Sequence, residues 1–332
     1  MKMYKYLILA AVIFQFNVVQ GQKINGVSFV ASYGTIDAKH VQPVLKVNAN
    51  YVALMPFSFM RDLSHPSLVF NSDRQWFGET EKGLVHYAQQ FEKTSVKVMI
   101  KPQIWVSKGQ FTGLIEMASE EDWTLFEENY EKYILSYAAI AQKIHAELLC
   151  IGTELGSFVV QRPKFWNQLI AKIKRVYKGK LTYAANWDAY KKVSFWGQLD
   201  FIGVDAYFPL SSQKTPTVAE FEEGWQPHKE EIKSVQQRYL KPVLFTEFGY
   251  RSVDFTGLRP WDSDQVSGAV NLLAQSNATQ AIYNQFWNED WFAGGFIWKW
   301  FHNHSESGGI ENNRFTPQNK PAEKLLRKLY AH

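Results

Sequence analysis

The chain holds one cysteine, Cys150, so no intramolecular disulfide can form and no cysteine-based metal site can be built. Its neighbours Leu149 and Ile151 mark it as a buried strand thiol. Beyond the N-terminal segment no apolar run is long enough to span a bilayer. Lys and Arg number 36 against 32 Asp and Glu, a net charge of +4, and they are scattered, with neither a basic block nor a basic-aromatic patch. That excludes nucleic acid as an expected partner. No Gly-x-Gly-x-x-Gly turn follows the first strand pattern, and His302, His304 and Glu306 lack the helical His-Glu-x-x-His spacing of a zinc site. They read as a solvated loop, and neither a metal nor a cofactor is expected. No linker, low-complexity stretch or short repeat divides the chain.

Aromatic residues, by contrast, are abundant at 16%, with 12 Trp, more than a core alone requires, so some rings should face a ligand. The N-terminus has Lys2 and Lys5, an apolar run from Tyr6 to Phe16, and Val18-Val19-Gln20-Gly21, the plan of a signal peptide. Residues 1–21 are therefore expected to be a leader, removed or kept as an anchor, and the protein to be secreted, periplasmic or envelope-associated. The mature part, 22–332, is roughly 310 residues, the size of a single α/β barrel with modest insertions.

Eight short apolar runs rich in β-branched residues alternate with helical patterns. They are Ile24 to Ala31, Tyr51 to Met55, Val96 to Pro102, Leu148 to Gly152, Leu181 to Ala185, Phe201 to Val204, Val243 to Thr246 and Gly295 to Trp298. Continuous rather than alternating hydrophobicity means burial on both faces, as in a parallel sheet covered by helices. Helix starts are expected at Ser119, Thr217 and Asp262, each followed three residues later by Asp122, Glu220 or Gln265. Apolar spacing near 3.6 runs from Trp123 through Leu125, Phe126, Tyr130, Ile134 and Tyr137, and from Phe165 through Leu169, Ile173 and Val176. A short helix is expected around Tyr190 to Trp196. Eightfold βα alternation without a dinucleotide turn predicts an α/β fold, a single (β/α)8 TIM barrel.

In such a barrel the chemistry sits at the C-terminal ends of the strands, and two of those ends are glutamates. Strand four closes on Gly152-Thr153-Glu154 and strand seven on Thr246-Glu247-Phe248-Gly249, on opposite sides of the barrel mouth. Glycosidic cleavage needs such a carboxyl pair, one neutral to protonate the leaving oxygen and one ionised to meet the developing oxocarbenium ion. Carboxyls about 5–5.5 Å apart give retention of configuration and about 6.5–9.5 Å inversion; glutamates on these two strands favour retention.

The sequence around these glutamates resembles glycoside hydrolase family 113 of clan A. The similar segments are Ile151-Gly152-Thr153-Glu154-Leu155, Tyr183-Ala184-Ala185-Asn186-Trp187-Asp188, Phe201-Ile202-Gly203-Val204-Asp205-Ala206-Tyr207, Thr246-Glu247-Phe248-Gly249-Tyr250-Arg251-Ser252 and Phe315-Thr316-Pro317-Gln318-Asn319-Lys320-Pro321-Ala322, together with Lys101-Pro102. The resemblance implies a retaining mechanism with Glu154 as acid/base, Glu247 as nucleophile, and β-1,4-mannan as substrate class. Much of clan A has Asn before the acid/base, where this chain has Thr153; the contact to the sugar 2-hydroxyl then falls to Thr153 or to Asn186, and Asn186 is preferred.

Position assigns the remaining candidates. Tyr207 closes strand six, either donating to Glu247 or packing as a core tyrosine, and Asp205 beside it is placed among the substrate-binding residues. Lys101 and Gln103 close strand three, facing sugar hydroxyls or, for Lys101, forming a structural ion pair. Arg251 either acts on Glu247 or pairs with Asp205 or Asp254. Trp76, Trp105, Trp187, Trp261, Trp291, Trp298 and Trp300 are candidates to stack on sugar, Trp298 first because it closes strand eight. Long insertions, Phe57 to Thr80 and Val106 to Ser119, can wall one end of a cleft. The expected activity is that of an endo-β-1,4-mannanase on an oligo- or polysaccharide. An exo-acting or differently specific β-glycosidase, or a silent carbohydrate-binding barrel, are the other readings, and oligomeric state is left open.

Overall fold

The computed structural model describes residues 22–331. The expected leader, 1–21, lies outside the described residues. Strands β1 (Ile24–Val30), β2 (Tyr51–Leu54), β4 (Lys97–Ile100), β6 (Leu148–Thr153), β7 (Lys180–Asn186), β8 (Ile202–Asp205), β9 (Val243–Phe248) and β10 (Phe292–Phe301) close into a barrel in the order β1-β10-β9-β8-β7-β6-β4-β2, with every pairing parallel. Helices α1 (Ala38–Lys46), α2 (Glu81–Glu92), α3 (Glu120–Lys143), α4 (Gly156–Gln161), α5 (Pro163–Val176), α6 (Val218–Tyr239), α7 (Leu272–Phe286) and α8 (Pro321–Leu329) follow the barrel strands, with both α4 and α5 after β6 and none between β7 and β8. No helix among the described residues is long and apolar enough to cross a membrane.

Each strand buries both faces, which is why its apolar run is continuous. Leu148 and Cys150 point into the barrel with Tyr51, Met99, Ala184, Leu244 and Phe296, while their neighbours Leu149 and Ile151 pack outward against the helix layer. Ser119 and Thr217 cap α3 and α6 as expected, Thr217 in a reciprocal box with Glu220. Along α3, Trp123, Phe126, Tyr130, Ile134 and Tyr137 are buried, while Leu125 and, on α5, Val176 face outward. Between β7 and β8 the chain makes only single turns at Tyr190–Lys192 and Trp196–Gln198.

One expectation is corrected. No helix begins at Asp262: its carboxylate is taken by Arg259 at 3.0 Å, the following Val266 is exposed, and α7 starts only after Asn271, whose side chain accepts from the Ala274 amide. The stretches that follow β2 and β4 begin with further strand. Pro56 and Pro102 interrupt the strands before them, since proline has no N–H to give a ladder, and the chain then resumes as β3 (Phe57–Met60) and β5 (Gln103–Val106). These pair with each other in parallel above the barrel. Tyr133 of α3 ties down both restarts, donating to the carbonyls of Pro56 (3.1 Å) and Gln103 (2.9 Å).

At the barrel mouth the ladders slip. Between β8 and β9, Val204 lies opposite Phe245 and Asp205 opposite Glu247. Thr246 is the extra residue. With Leu244 facing inward and Phe245 outward, strict alternation would aim Glu247 at the helix layer; the slip re-aims it into the mouth, as bulges do. A slip between Cys150 and Thr153 against β7 likewise precedes Glu154, whose φ of 55° lies in the left-handed region.

Candidate active site

Glu247 is nearly buried, with 6% exposure, and three donors converge on it. The Lys101 ammonium and the Gln103 amide (3.4 Å) meet one carboxyl oxygen, and the Tyr207 phenol donates to the other at 2.7 Å. This set suits a carboxylate anion. Burial, then the Glu247 charge, pushes the Tyr207 phenol well above its ordinary range, so it remains a donor. Gly249 lets the end of β9 lie against β10: a Cβ there would stand 2.6 Å from the Trp298 carbonyl oxygen.

Beneath Glu247, Lys101 also reaches both oxygens of Asp205 (3.1 and 3.4 Å), and Asp205 accepts from the Thr246 hydroxyl at 2.7 Å. Burial alone would pull the Lys101 ammonium down; Asp205 and then Glu247 more than reverse it, and the group stays charged. Burial and the Glu247 charge push Asp205 up, against Lys101. One buried cation thus serves two carboxyls.

Glu154 stands apart. It is partly buried, and no side chain among the described residues hydrogen-bonds its carboxyl. Burial, then the charges of Asp205 and Glu247, push it well above the usual carboxylate range, with Lys101 opposing weakly. Two carboxyls from opposite sides of the mouth therefore sit in one field, one pushed toward its protonated form and one ringed by donors, which is the division of labour acid-assisted displacement needs.

The cleft continues on both sides of Glu154. A cavity of about 660 Å³ runs from Glu154 and Thr153 past Gln103 and Trp298 to Trp105 and Trp76. Another of about 460 Å³ lies beyond it, against Phe111, Asn186, Asp188 and Lys192.

Most expected residues are brought to this mouth, but with altered duties. Lys101, read either as facing sugar or as a structural ion pair, takes the second role, and Asp205, placed among the substrate-binding residues, joins it under Glu247; neither has exposed surface. Gln103 lines the cavity while donating to Glu247. Thr153 gives its hydroxyl to the Pro102 carbonyl at 3.2 Å, and the Asn186 amide donates to Asp188 at 3.1 Å at the edge of the second cavity. Arg251 neither reaches Glu247 nor pairs with Asp205 or Asp254; it donates to the Val266 carbonyl and feels Asp264 and Asp262. Trp105 and Trp76 present open faces, 49% and 37% exposed, and Trp187 stacks on Trp261 at 5.2 Å. Trp300 is core, and Trp291 precedes β10 at the opposite end of the barrel, bonded to Glu289; neither is placed to meet sugar. His304 pairs with Glu323 at 2.7 Å, and His302 lies against His40. Thr246 was missed because a β-branched residue inside an apolar strand reads as packing; its place beside Glu247 was the available signal.

Two substitutions probe this cluster. Lys101→Met should cost about 3–5 kcal/mol in urea unfolding, because it strands two carboxylates in a buried site, and the deficit should shrink as pH falls and they protonate. Equal stability of variant and parent would refute the ion cluster. Tyr207→Phe removes one buried hydrogen bond to a charged acceptor, about 1.5–3 kcal/mol, so kcat/KM should fall roughly 10- to 100-fold and the melting temperature by a few degrees; a loss in kcat/KM under twofold would count against the contact.

The profile of Glycoside Hydrolase Family 113 matches residues 30–320 of this chain. No curated protein matches it. A solved complex of a Glycoside Hydrolase Family 113 β-1,4-mannanase superposes with a TM-score of 0.81 at 21% identity, covering 93% of this chain and 99% of that one. The β-mannanase AaManA from Alicyclobacillus acidocaldarius, in complex with ManMIm, gives 0.79 at 22% identity over 93% and 97%. A β-glucuronidase from Ruminococcus gnavus in complex with D-glucuronic acid gives 0.57 at 12% identity, covering 88% of this chain and 45% of that one. At these identities the structural likeness speaks to the barrel alone.

Proposed function

The chain belongs to Glycoside Hydrolase Family 113, and from that premise we propose that this glycoside hydrolase is a retaining, endo-acting β-1,4-mannanase with Glu154 as acid/base and Glu247 as nucleophile. The observation that carries the roles is the contrast between the two carboxyls: Glu154 has no donor and is driven toward its neutral form, while Lys101, Tyr207 and Gln103 all point at Glu247. Glu154 protonates the glycosidic oxygen as Glu247 attacks the anomeric carbon, and the C–O bond to the leaving sugar breaks as the ester to Glu247 forms. Esterification removes the Glu247 charge, which had added to burial and Asp205 in raising the Glu154 pKa, and so eases its ionisation. Glu154, now a carboxylate, takes a proton from water, which displaces Glu247 and restores the starting configuration.

Cavities on both sides of Glu154 suit a chain bound along its length, which supports endo action. The names of the mannanase structures support mannan as the glycan, and the leader pattern of residues 1–21 supports export to the periplasm, envelope or medium. A product profile on manno-, gluco- and xylo-oligosaccharides, with NMR of the first anomer released, tests the reading. Internal cleavage of the manno-series with a β-anomer first is expected. A first α-anomer would overturn retention, monosaccharide release from one end would replace endo with exo action, and turnover of the gluco- or xylo-series alone would move the specificity. Binding without turnover of any series would leave a carbohydrate-binding barrel.

A further inference from the structure

The mechanism leaves one carboxyl in the cleft without a task. Glu79 ends the single turn Phe77–Glu79 that closes the insertion after β3, and it lines the same cavity as Glu154, Gln103 and Trp298. It is partly buried, and burial raises its pKa, with the Trp76 backbone pulling the other way. Among the described residues it has no ion pair and no side-chain hydrogen bond, although Arg74 lines the same wall. A half-buried carboxyl with free lone pairs in a polar cleft is placed to accept hydrogen bonds from a ligand.

The turn that carries it is fixed in place. The Gly78 amide donates to the Ser32 carbonyl at 3.0 Å, and the Tyr87 ring lies so close under Gly78 that a Cβ there would meet it at 2.8 Å. Beside Glu79, the Trp76 ring packs on Tyr33 at 4.5 Å between centroids and keeps an open face. An aromatic face next to a carboxyl that no other side chain engages is complementary to a pyranose, whose axial hydrogens are apolar and whose equatorial hydroxyls are donors.

The side of the scissile bond follows from the strands. On the proposed roles, the reacting sugar has to meet Glu247 of β9 beside Trp298 of β10, and the leaving sugar has to lie past Glu154, where the second cavity opens. The wall bearing Glu79 is reached in the other direction, past Trp298, and so belongs to the glycone. Resting on the proposed catalytic roles, we propose that Glu79, with the Trp76 face, is a specificity-determining residue that binds a distal glycone sugar of the chain, a neutral pyranose offering two adjacent free hydroxyls.

Aryl β-mannosides sharing one leaving group and carrying one, two or three glycone sugars test it. For Glu79→Ala the loss in kcat/KM should grow with glycone length, reaching about 10- to 100-fold on the longest, the range for hydrogen bonds to a charged group, and Glu79→Gln should recover part of it. A loss equal at every length, or none at any, overturns the proposal. Should the parent enzyme turn over no mannoside, the mannanase reading falls by itself. Calorimetric titration of the Glu247→Ala protein with manno-, gluco- and xylo-trisaccharides, with and without Glu79→Gln, then decides this point: about tenfold weaker binding of one trisaccharide supports the subsite, and unchanged binding of all three overturns it.

Discussion

Glu247→Ala should lower kcat/KM on the natural glycan by about 10⁴-fold or more, the scale seen when a covalent nucleophile is removed. The protein should nevertheless fold. Lys101 is the only cation among the buried side chains joined to Asp205 and Glu247 in this cluster, so removing Glu247 leaves one cation facing one anion, a better balance than before. Its melting temperature should match or exceed the parent's, the reverse of the Lys101→Met result. The space left by the carboxylate is still ringed by the Lys101 ammonium, the Tyr207 hydroxyl and the Gln103 amide, which is a ready seat for a small anion. Azide should occupy it and attack the anomeric carbon of an activated aryl glycoside directly. One displacement replaces two, so the glycosyl azide forms with inverted configuration. Activity within tenfold of the parent, or an azide product of retained configuration, would remove Glu247 from the nucleophile's role.

That the two glutamates could be placed at the barrel mouth from the sequence reflects how a barrel is read. Apolar runs buried on both faces mark the strands, and the first charged residue closing each run is at the mouth, so Glu154 and Glu247 announce themselves. What was not legible was the geometry between neighbouring strands. A strict period of two from Leu244 sends Glu247 outward, and only the slip opposite Asp205 corrects it; nothing in the apolar pattern encodes that slip. Lys101 and Asp205 were identified as site residues but placed one layer too high, because a charged residue at a strand end reads as exposed unless its partner, here 104 positions away, is known. The strands β3 and β5 hid behind Pro56 and Pro102, which read as strand ends when they are interruptions. Arg251 carried its charge in the right neighbourhood, but its loop turns it toward Val266, and loop direction has no periodicity to read.

The complementary prediction concerns the acid. Glu154→Ala should lower kcat/KM on unactivated glycan by about 10²- to 10⁴-fold, the contribution of a positioned general acid, while an aryl glycoside with a strongly acidic phenol should be spared in the first step, since its leaving group needs little protonation. Its second step still lacks a base, so the ester to Glu247 should accumulate and appear as a burst of phenol. Azide should relieve this block by attacking the ester, and two displacements then give a product of retained configuration, opposite to that of Glu247→Ala. The pH profile supplies an independent sign. Burial and the charges of Asp205 and Glu247 raise Glu154, and on the proposed roles the protonated form is the active one. Parent activity therefore holds below that raised pKa and falls as pH rises through it. In Glu154→Ala the alkaline limb should vanish on the activated substrate, because the group whose deprotonation produced it is gone. Equal losses on both substrate classes, or an alkaline limb that survives the substitution, would show that the proton comes from elsewhere.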